Sequence, residues 1–427
     1  MKISLNNLKI NTILLLVVLM PFHGLMMNVL KESLFVFWRD ILIAFLFGIA
    51  VFQGIRADML SLLSFIKIIL CVLFAVVFHD SSMSASIWLN VLRIYLFPSL
   101  IIVACSQIRI EKKDLDKILK IQVIVSSAVS SFGLIQLFFI GRPYLIWLGV
   151  GQASVLLEDG TQRNIGVFQS ANIMAMYLLL SIIILLYKKD LFNKTSYILL
   201  MLLLLISFAF TYSMSAFLAL AIVICIYIRK SDTKHIKYST FIKVCLTIII
   251  IILFAFLIIA NSPEILMVLQ VQLGEKINDI VLTLLGMNFA TNSSALAHYN
   301  DLFEGFSQVL QNPLGLGFAK ESFMVFDKVD YRPLLGIKES SIITIFFDFG
   351  IPIGVLFLLP IIYCLCRLIK QKTKGIEYCR ISSSIIISIL VMYIFLPVIQ
   401  SYELSFYLNL FAGLAYYYLL SHMHINH

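Results

Sequence analysis

The sequence predicts an all-α polytopic membrane protein that crosses the bilayer about twelve times. Of its 427 residues 61% are hydrophobic and only 13% are charged, whereas a soluble domain carries about 25% charged residues. The apolar runs are about 18–25 residues long and show no two-residue alternation. Because lipid offers the backbone no hydrogen-bond partners, we expect these runs to form helices rather than a barrel.

The first apolar run follows Lys2 and Lys9 and resembles a signal sequence, but it is long and lacks a small-residue cleavage site. We therefore expect a retained first helix. The break between the predicted helices at 195–212 and 214–229 is weak, because only Ser213, Met214 and Ser215 separate the two short runs. In chain order, the predicted transmembrane helices cover residues 10–30, 34–53, 59–79, 84–106, 119–140, 166–187, 195–212, 214–229, 241–260, 340–366, 381–399 and 404–421.

The orientation follows from the basic residues, most of which lie in alternate connecting segments that begin with the N-terminus. Since lysine and arginine concentrate in cytoplasmic loops, both termini are expected in the cytoplasm of a bacterial cell, with residues 1–427 forming one domain of the inner membrane. The net charge of +9 is then an orientation signal, and no nucleic acid is expected as a partner.

Two predicted periplasmic loops are long, about 141–165 and 261–339. The longer loop shows two amphipathic patterns, one over 264–285 that is expected at the membrane surface or over a cavity, and a helix over about 298–311. The second has Leu302, Phe303, Phe306 and Leu310 on one side. A proline and two glycines within residues 312–317 are expected to end it in a turn.

Three cations lie inside apolar runs: Arg39, Lys67 and Arg93. Arg39 is close enough to the outer edge to extend its charge to the surface, and Lys67 has no obvious partner in its own helix. Arg93 is too deep for that, so we expect it to line an outward-facing polar cavity. There its guanidinium would suit a phosphate group, through two parallel hydrogen bonds.

Four further charged or titratable residues lie at predicted periplasmic positions. Arg142 and Arg163 stand at the two ends of the shorter loop, where an arginine is often only a headgroup anchor. His298 is the one histidine of the longer loop; such a residue is commonly solvated, but histidine is also the commonest general base. Glu339 lies at the predicted start of a helix, where its negative charge interacts favourably with the helix dipole. Alternatively, it supplies a carboxylate at the mouth of a membrane cavity.

No nucleotide-binding loop and no metal-ligand spacing are found in the sequence, so no cofactor or metal is expected. The seven cysteines fall in apolar runs or predicted cytoplasmic loops, and no disulfide is expected.

Three stretches of the sequence resemble the O-antigen polymerase/ligase superfamily. The first is Arg163-x-x-Gly166-x-Phe168-x-x-x-Asn172. The second runs from His298 through Gly317. The third is Glu339-Ser340-Ser341-Ile342 followed by residues 349–354. The order of the stretches, the predicted helix count and the loop positions are similar to the family over nearly the whole chain.

The resemblance implies a metal-independent glycosyltransferase acting on undecaprenyl-diphosphate-linked oligosaccharides at the periplasmic face. Ligases of the family usually place a histidine where this chain has Glu339, which favours a polymerase. Many polymerases place an arginine near the position of His298, and Arg332 is a candidate substitute. The sequence leaves open whether a chain-length regulator is a partner.

In the expected mechanism Arg163 and Arg93 bind the diphosphate, and Glu339 or His298 takes the proton of the attacking hydroxyl. The alternatives are a ligase that transfers polymer to lipid A–core and a flippase for lipid-linked oligosaccharides. A flippase often has related halves, and no similarity between the halves is seen.

Overall fold

The structure is a computed structural model that describes residues 5–30, 37–77, 85–141, 144, 147, 162–230, 293–318, 340–370, 377–396 and 401–424. These residues are 86% helical, and no strand runs through them. The prediction of an all-helical chain is therefore confirmed for this part of the protein. The predicted helices at 241–260 and 264–285 lie outside the described residues.

The helices, in chain order, are α1 (Leu5–Leu19), α2 (His23–Leu30), α3 (Trp38–Phe52), α4 (Met59–Val77), α5 (Ala85–Ser106), α6 (Lys112–Ile135), α7 (Ala171–Tyr187), α8 (Lys194–Ala209), α9 (Met214–Lys230), α10 (Ser293–Gln311), α11 (Ser341–Lys370), α12 (Glu377–Phe395) and α13 (Tyr402–His424). A 3-10 turn (Met20–Phe22) joins α1 to α2, and a π-helical turn (Gln136–Ile140) extends α6.

Within the described residues, six helical segments are long and apolar enough to cross a membrane: Leu5–Met26, Met59–Val77, Trp88–Ser106, Lys112–Ile140, Ser341–Lys370 and Glu377–Phe395. Three shorter helices, α7, α8 and α9, are also apolar. The chain thus has the composition of a helical membrane protein, and the count of twelve crossings remains the prediction from the sequence.

Local chemistry moves several boundaries away from the predicted ones. Pro21 interrupts the first apolar run, because proline has no N–H and clashes with the preceding turn of a helix. α6 begins at Lys112 rather than near 119, since Asp114 Oδ2 accepts a hydrogen bond from the backbone N–H of Glu111 (3.3 Å). α7 begins at Ala171 rather than 166, where Ser170 Oγ caps the helix by accepting from Asn172 N (3.2 Å).

The helices pack in two adjoining groups. α5 and α13 lie side by side at the centre of the first group, with α3 and α4 against α5 and with α11 and α12 against α13. α6, α7, α8 and α9 form the second group, and α12 contacts both α7 and α9. The buried apolar residues of both groups form one continuous cluster. The two groups are therefore parts of a single core.

The two ends of the second group carry different polar contacts. At one end Lys188, only 1% exposed, binds Asp116 (3.1 Å) and Glu377 (3.2 Å) and so ties α6, α7 and α12 together. Burial alone lowers the pKa of Lys188. Its hydrogen bonds to these two carboxylates raise the pKa by more than burial lowers it, so the pKa lies above its ordinary value. At the other end, Thr211 in the α8–α9 connection binds Arg163.

Candidate functional site

The structure describes two predicted site residues with their side chains, Arg93 and Arg163. The backbone of His298 lies in α10, so the predicted helix at 298–311 is confirmed and extends from Ser293 to Gln311. Three predicted site residues lie outside the described residues: Arg142, Arg332 and Glu339.

Arg163 lies in the non-helical segment that leads into α7, and its guanidinium is held from two sides. Nε donates to the carbonyl of Thr211 (2.8 Å), and Nη2 donates to Asn172 Oδ1 (3.0 Å). No acceptor for Nη1 is found in the part of the chain that the structure describes. Burial lowers the pKa of Arg163 to about 10, so it stays cationic at neutral pH. A fixed cation thus retains N–H groups that can bind an acceptor.

The backbone around Arg163 is fixed by its neighbour Asn164, which is fully buried. Asn164 N donates to the carbonyl of Phe210 (2.8 Å), and Nδ2 donates to the carbonyl and hydroxyl of Ser207 (3.0 and 2.8 Å). Asn172, which binds the guanidinium, lies in the first turn of α7. The cation therefore lies beside a helix N-terminus, where backbone N–H groups and the helix dipole favour negative charge.

Arg93 is 8% exposed and pairs with Asp40 of α3. Its Nε and Nη2 each lie 2.6 Å from Asp40 Oδ2, and Nη1 donates to Asn90 Oδ1 (3.1 Å). The hydroxyl of Tyr402 donates to the other carboxylate oxygen (2.6 Å). The carboxylate thus joins three helices, α3, α5 and α13, and balances the Arg93 charge inside the bundle.

A second ion pair lies beside the first one. Arg39 Nη1 is 3.3 Å from Glu403 Oε1, and the Arg39 guanidinium lies 3.7 Å from the centre of the Tyr402 ring. Ser401 Oγ donates to Glu403 Oε2 (3.0 Å). Arg39 Nε is buried and has no acceptor within the described ranges. The four charges of the two pairs sum to zero, so burying them together costs less free energy than burying any one of these charges alone.

α2 lies between the two arginine sites. His23 Nδ1 accepts a hydrogen bond from Trp38 Nε1 (3.1 Å), at the start of α3 beside Arg39 and Asp40. Leu25 packs against the small cluster that contains Ile165 and Ala171, at the entrance to α7. Arg163 and the Asp40–Arg93 pair therefore lie at the same end of the bundle, although their guanidinium groups bind different partners.

Two of the sequence stretches meet in direct backbone contact at this end. The turn after α10 packs on α11: Leu316 N donates to the carbonyl of Phe347 (2.7 Å), and Ile351 N donates to the carbonyl of Pro313 (2.8 Å). α11 is interrupted at Gly350, whose φ of 73° and ψ of 166° are not helical. The interruption frees the N–H and C=O groups that bind the turn.

Both glycines at the contact are required by its geometry. A Cβ atom on Gly315 would lie 2.5 Å from the backbone N of Gly350, and a Cβ on Gly350 would lie 2.5 Å from the carbonyl carbon of Leu314. Gly315 also has a positive φ of 84°, which disfavours any other residue. The sequence predicted the turn but did not predict that it docks on the glycine of the third stretch.

Aromatic rings pack against the end of the turn that follows α10. Phe318, at its end, lies against Tyr95 and Phe349, with ring centroids 6.2 and 5.9 Å away. Tyr95 lies edge-on to Phe349 (5.0 Å) and to Phe357 (5.2 Å), and its hydroxyl donates to Asp348 Oδ2 (2.7 Å). The turn is thus coupled to α5 as well as to α11.

The ammonium group of Lys67 in α4 contacts an aromatic ring on another helix. Its ammonium lies 4.0 Å from the centre of the Phe357 ring on α11, a cation–π contact. The side chain also lines a cavity of about 20 Å³ together with Tyr393 and Asn409. The volume is about that of one water molecule, and most of the surface that lines the cavity is apolar.

The sequence did not point to Asp40 and Glu403 as the acidic partners of Arg93 and Arg39, or to Asp348 as the acceptor of the Tyr95 hydroxyl. A signal was present, since Asp348 is a carboxylate within an apolar run and Asp40 follows Arg39 directly. Intramembrane charges are expected to pair with one another or with backbone carbonyls, so a buried cation indicates that acceptors lie nearby. Which acid pairs with which cation depends on helix packing and cannot be read from spacing.

A scan against models of known protein families finds no match to this chain, and a search of curated proteins finds none either. Among the described residues, no three His, Cys, Asp or Glu side chains are grouped so that they could hold a metal ion. The site combines fixed guanidinium groups, a helix N-terminus and a glycine turn at one end of a helical bundle.

Proposed function

We propose that this protein is an O-antigen polymerase, a membrane glycosyltransferase that joins undecaprenyl-diphosphate-linked oligosaccharide repeat units at the periplasmic face. The observation that carries the proposal is the position of Arg163, fixed by Thr211 and Asn172 beside the N-terminus of α7. A guanidinium and a helix N-terminus together suit a phosphate group. The resemblance of the sequence stretches to the polymerase/ligase superfamily supplies the class of substrate.

In the proposed reaction the sugar at the lipid end of the growing chain is the donor. A hydroxyl oxygen of the new lipid-linked unit attacks the anomeric carbon of this donor sugar, and the bond from that carbon to the diphosphate oxygen breaks. The electron pair of the broken bond leaves with undecaprenyl diphosphate. A general base takes the proton of the hydroxyl. Because the donor is already activated, the reaction requires no nucleotide.

Arg163 would bind the diphosphate directly, since its Nη1 has no acceptor among the described residues. The negative charge on the leaving group grows as the bond breaks, and a fixed cation stabilises the transition state more than the ground state. Arg93 is the second cation of the proposal, and its pairing with Asp40 means that a bound diphosphate would compete with that carboxylate. Arg142 and Arg332 remain further candidates for the same role.

Glu339 and His298 remain the two candidates for the general base. Glu339 directly precedes Ser340, whose Oγ donates to the carbonyl of Tyr393 (3.2 Å) at the start of α11. His298 lies in α10, the helix whose following turn docks on Gly350. Both residues are thus connected in sequence to the contact between the two glycine stretches.

The first test is Arg163→Ala in cells that carry the protein as their only copy. We expect long O-antigen chains to disappear from a lipopolysaccharide gel while the protein remains in the membrane, because the diphosphate loses its fixed cation. Arg163→Lys should restore little, since an ammonium lacks the planar fork that spans Thr211, Asn172 and a phosphate. Arg56→Ala is the matched control, because Arg56 is an exposed arginine at a predicted cytoplasmic position. A normal chain ladder from Arg163→Ala rejects the assignment.

Gene deletion separates the proposal from its alternatives on the same gel. One repeat unit on the core indicates loss of a polymerase. Bare core with polymer still linked to lipid indicates loss of a ligase. Bare core with single units retained on lipid inside the cell indicates loss of a flippase. Either of the last two patterns contradicts the proposal.

A further inference from the structure

A cavity of about 420 Å³ opens between the last turns of α7 and α9 and the start of α12, three helices that contact one another. Its volume lies within the range of about 300–1,000 Å³ that is typical of small-molecule sites. We call its polar and aromatic lining the α7–α12 cleft, which consists of Tyr187, Lys189, Asp190, Tyr227, Glu377 and Arg380. The cleft lies at the end of α7 opposite to Arg163.

The two cations of the cleft are not neutralised by the part of the chain that the structure describes. Arg380, in the first turn of α12, is partly buried, and its guanidinium forms no hydrogen bond or ion pair with a described residue. Lys189, exposed in the turn after α7, likewise forms no ion pair with one. Their N–H groups are therefore available to a phosphate group, for which a guanidinium has the matching planar geometry.

The two carboxylates of the cleft are bound through one oxygen each. Lys188 Nζ lies 3.4 Å from Asp190 Oδ2 and 3.2 Å from Glu377 Oε2. The Asp190 and Glu377 side chains are 71% and 41% exposed, and their second oxygens have no partner among the described residues. Each carboxylate can therefore accept a further hydrogen bond from a ligand.

The charges of the cleft favour a ligand that carries both signs. Lys189 and Arg380 balance Asp190 and Glu377, while the buried Lys188 also binds Asp116 at 3.1 Å. An anion would gain from the two cations but would also meet the two carboxylates, and a cation would meet the reverse. A zwitterion with a phosphate and an ammonium group is complementary to both sets.

The aromatic residues indicate how deep the cleft lies. Tyr187 and Tyr227 lie in the last turns of two apolar helices, α7 and α9, with ring centroids 5.2 Å apart in an edge-on contact. Tyrosine is enriched where membrane helices reach the lipid headgroups. α12, which is long and apolar enough to cross a membrane, begins at Glu377 in the same cleft. The cleft therefore lies at the level of the headgroups.

We propose that the α7–α12 cleft binds a phosphoethanolamine group, the headgroup of phosphatidylethanolamine. Arg380 and Lys189 bind the phosphate, and Asp190 and Glu377 accept hydrogen bonds from the primary ammonium. The ends of α7, α9 and α12 are held together by this contact in addition to Lys188. The inference does not depend on the proposed glycosyl transfer.

Native mass spectrometry of the full chain in detergent tests the proposal. Dioleoyl phosphatidylethanolamine, phosphatidylcholine and phosphatidylglycerol are titrated separately, and the dissociation constant of the first bound lipid is measured. We expect phosphatidylethanolamine to bind about tenfold more tightly than phosphatidylcholine, whose trimethylated ammonium has no N–H to donate. Phosphatidylglycerol has the phosphate without the ammonium, and it should also bind about tenfold more weakly.

Two variants separate the two halves of the cleft. Arg380→Gln should weaken phosphatidylethanolamine and phosphatidylcholine alike by about tenfold, because both lipids share the phosphate. Asp190→Asn should weaken phosphatidylethanolamine and leave phosphatidylcholine unchanged; Lys188 keeps Asp116 and Glu377 in this variant. Arg109→Gln is the matched control, since Arg109 is an exposed arginine in the connection between α5 and α6. It should change neither affinity.

Soluble glycerophosphoethanolamine identifies the source of the group. Displacement of the bound lipid at concentrations near the dissociation constant of the lipid would assign the cleft to a soluble ligand with this group. Failure to displace it would assign the cleft to the lipid, and both results support the site. Equal affinity for the three lipids, or tighter binding of phosphatidylglycerol, overturns the proposal. Unchanged lipid binding by Arg380→Gln or Asp190→Asn also overturns it, and either variant is sufficient if the other does not fold.

Discussion

Asp40 and Arg93 come from different helices and neutralise each other inside a largely apolar bundle. Transfer of either charge alone into lipid would be costly, and the pair is retained only because its hydrogen bonds are satisfied. Tyr402 and Asn90 supply the additional partners, at 2.6 and 3.1 Å. At the scale of single residues, the stability of this end of the bundle therefore rests on matched polar partners.

Asp40→Asn should destabilise the protein by about 3–5 kcal/mol, because the substitution removes the carboxylate charge that the buried Arg93 contacts through Nε and Nη2. The measurement is the apparent melting temperature in detergent, followed by loss of monodisperse protein. Glu111→Gln is the control, since Glu111 forms the same kind of ion pair with Lys113 (2.9 Å) on the exposed surface. We expect no measurable change from that substitution.

The double substitution Asp40→Asn with Arg93→Met should recover part of the lost stability, because it also removes the buried charge that had lost this carboxylate. If the double variant is as unstable as Asp40→Asn with Arg93 intact, then the ion pair is not the source of the effect.

At the scale of elements, the break in α11 at Gly350 and the turn after α10 depend on each other. The turn supplies the partners for Ile351 N and for the carbonyl of Phe347, both of which the break exposes. The residues between Asn312 and Phe318 are in turn held close to the backbone of α11 by Gly315. A helix break with unsatisfied groups in a membrane would be costly, so the two elements should form together.

Gly350→Ala should destabilise this contact by at least about 1–3 kcal/mol, because its backbone angles are almost restricted to glycine and the new Cβ would clash with Leu314. We expect a lower melting temperature and shorter O-antigen chains. Gly48→Ala is the control, since a Cβ at Gly48 meets no atom within 4 Å and the residue lies inside α3. That change should be neutral or stabilise by about 0.5–1 kcal/mol. Equal behaviour of the two variants would contradict a role for the docked turn.

At the scale of the whole molecule, the polar contacts of α7 are divided between its two ends. Lys188 binds Asp116 and Glu377 at one end, and Arg163 binds Thr211 and Asn172 at the other. The proposed chemistry requires the Arg163 end to face the periplasm, as the distribution of basic residues predicts.

Cysteine labelling tests this orientation. Met214→Cys, at the start of α9, should react with a membrane-impermeant thiol reagent in intact spheroplasts, because Met214 is 43% exposed at the Arg163 end. Lys194→Cys, at the start of α8, should react only after the membrane is disrupted. The unsubstituted chain gives the background from its own cysteines. The reverse pattern would place Arg163 in the cytoplasm and contradict the proposed function.

Much of the architecture could be predicted from the sequence. The long apolar runs predicted helices, and all of those that lie within the described residues are helical, with shifts at Pro21, Ser170 and Asp114 that follow from local capping chemistry. The helix near 298–311 and the turn that ends it were predicted as well. Local patterns were sufficient here because backbone hydrogen bonds in lipid must be satisfied within each segment.

The partners of the charges were decided only by the tertiary structure. The sequence marked Arg93, Lys67 and Arg163 as unusual cations, but their partners come from other parts of the chain: Asp40, the ring of Phe357 and the carbonyl of Thr211. The docking of Gly315 on Gly350 likewise joins two distant stretches. Sequence periodicity determines which side of a helix is apolar, whereas the packing of whole helices determines which polar groups come within hydrogen-bond distance.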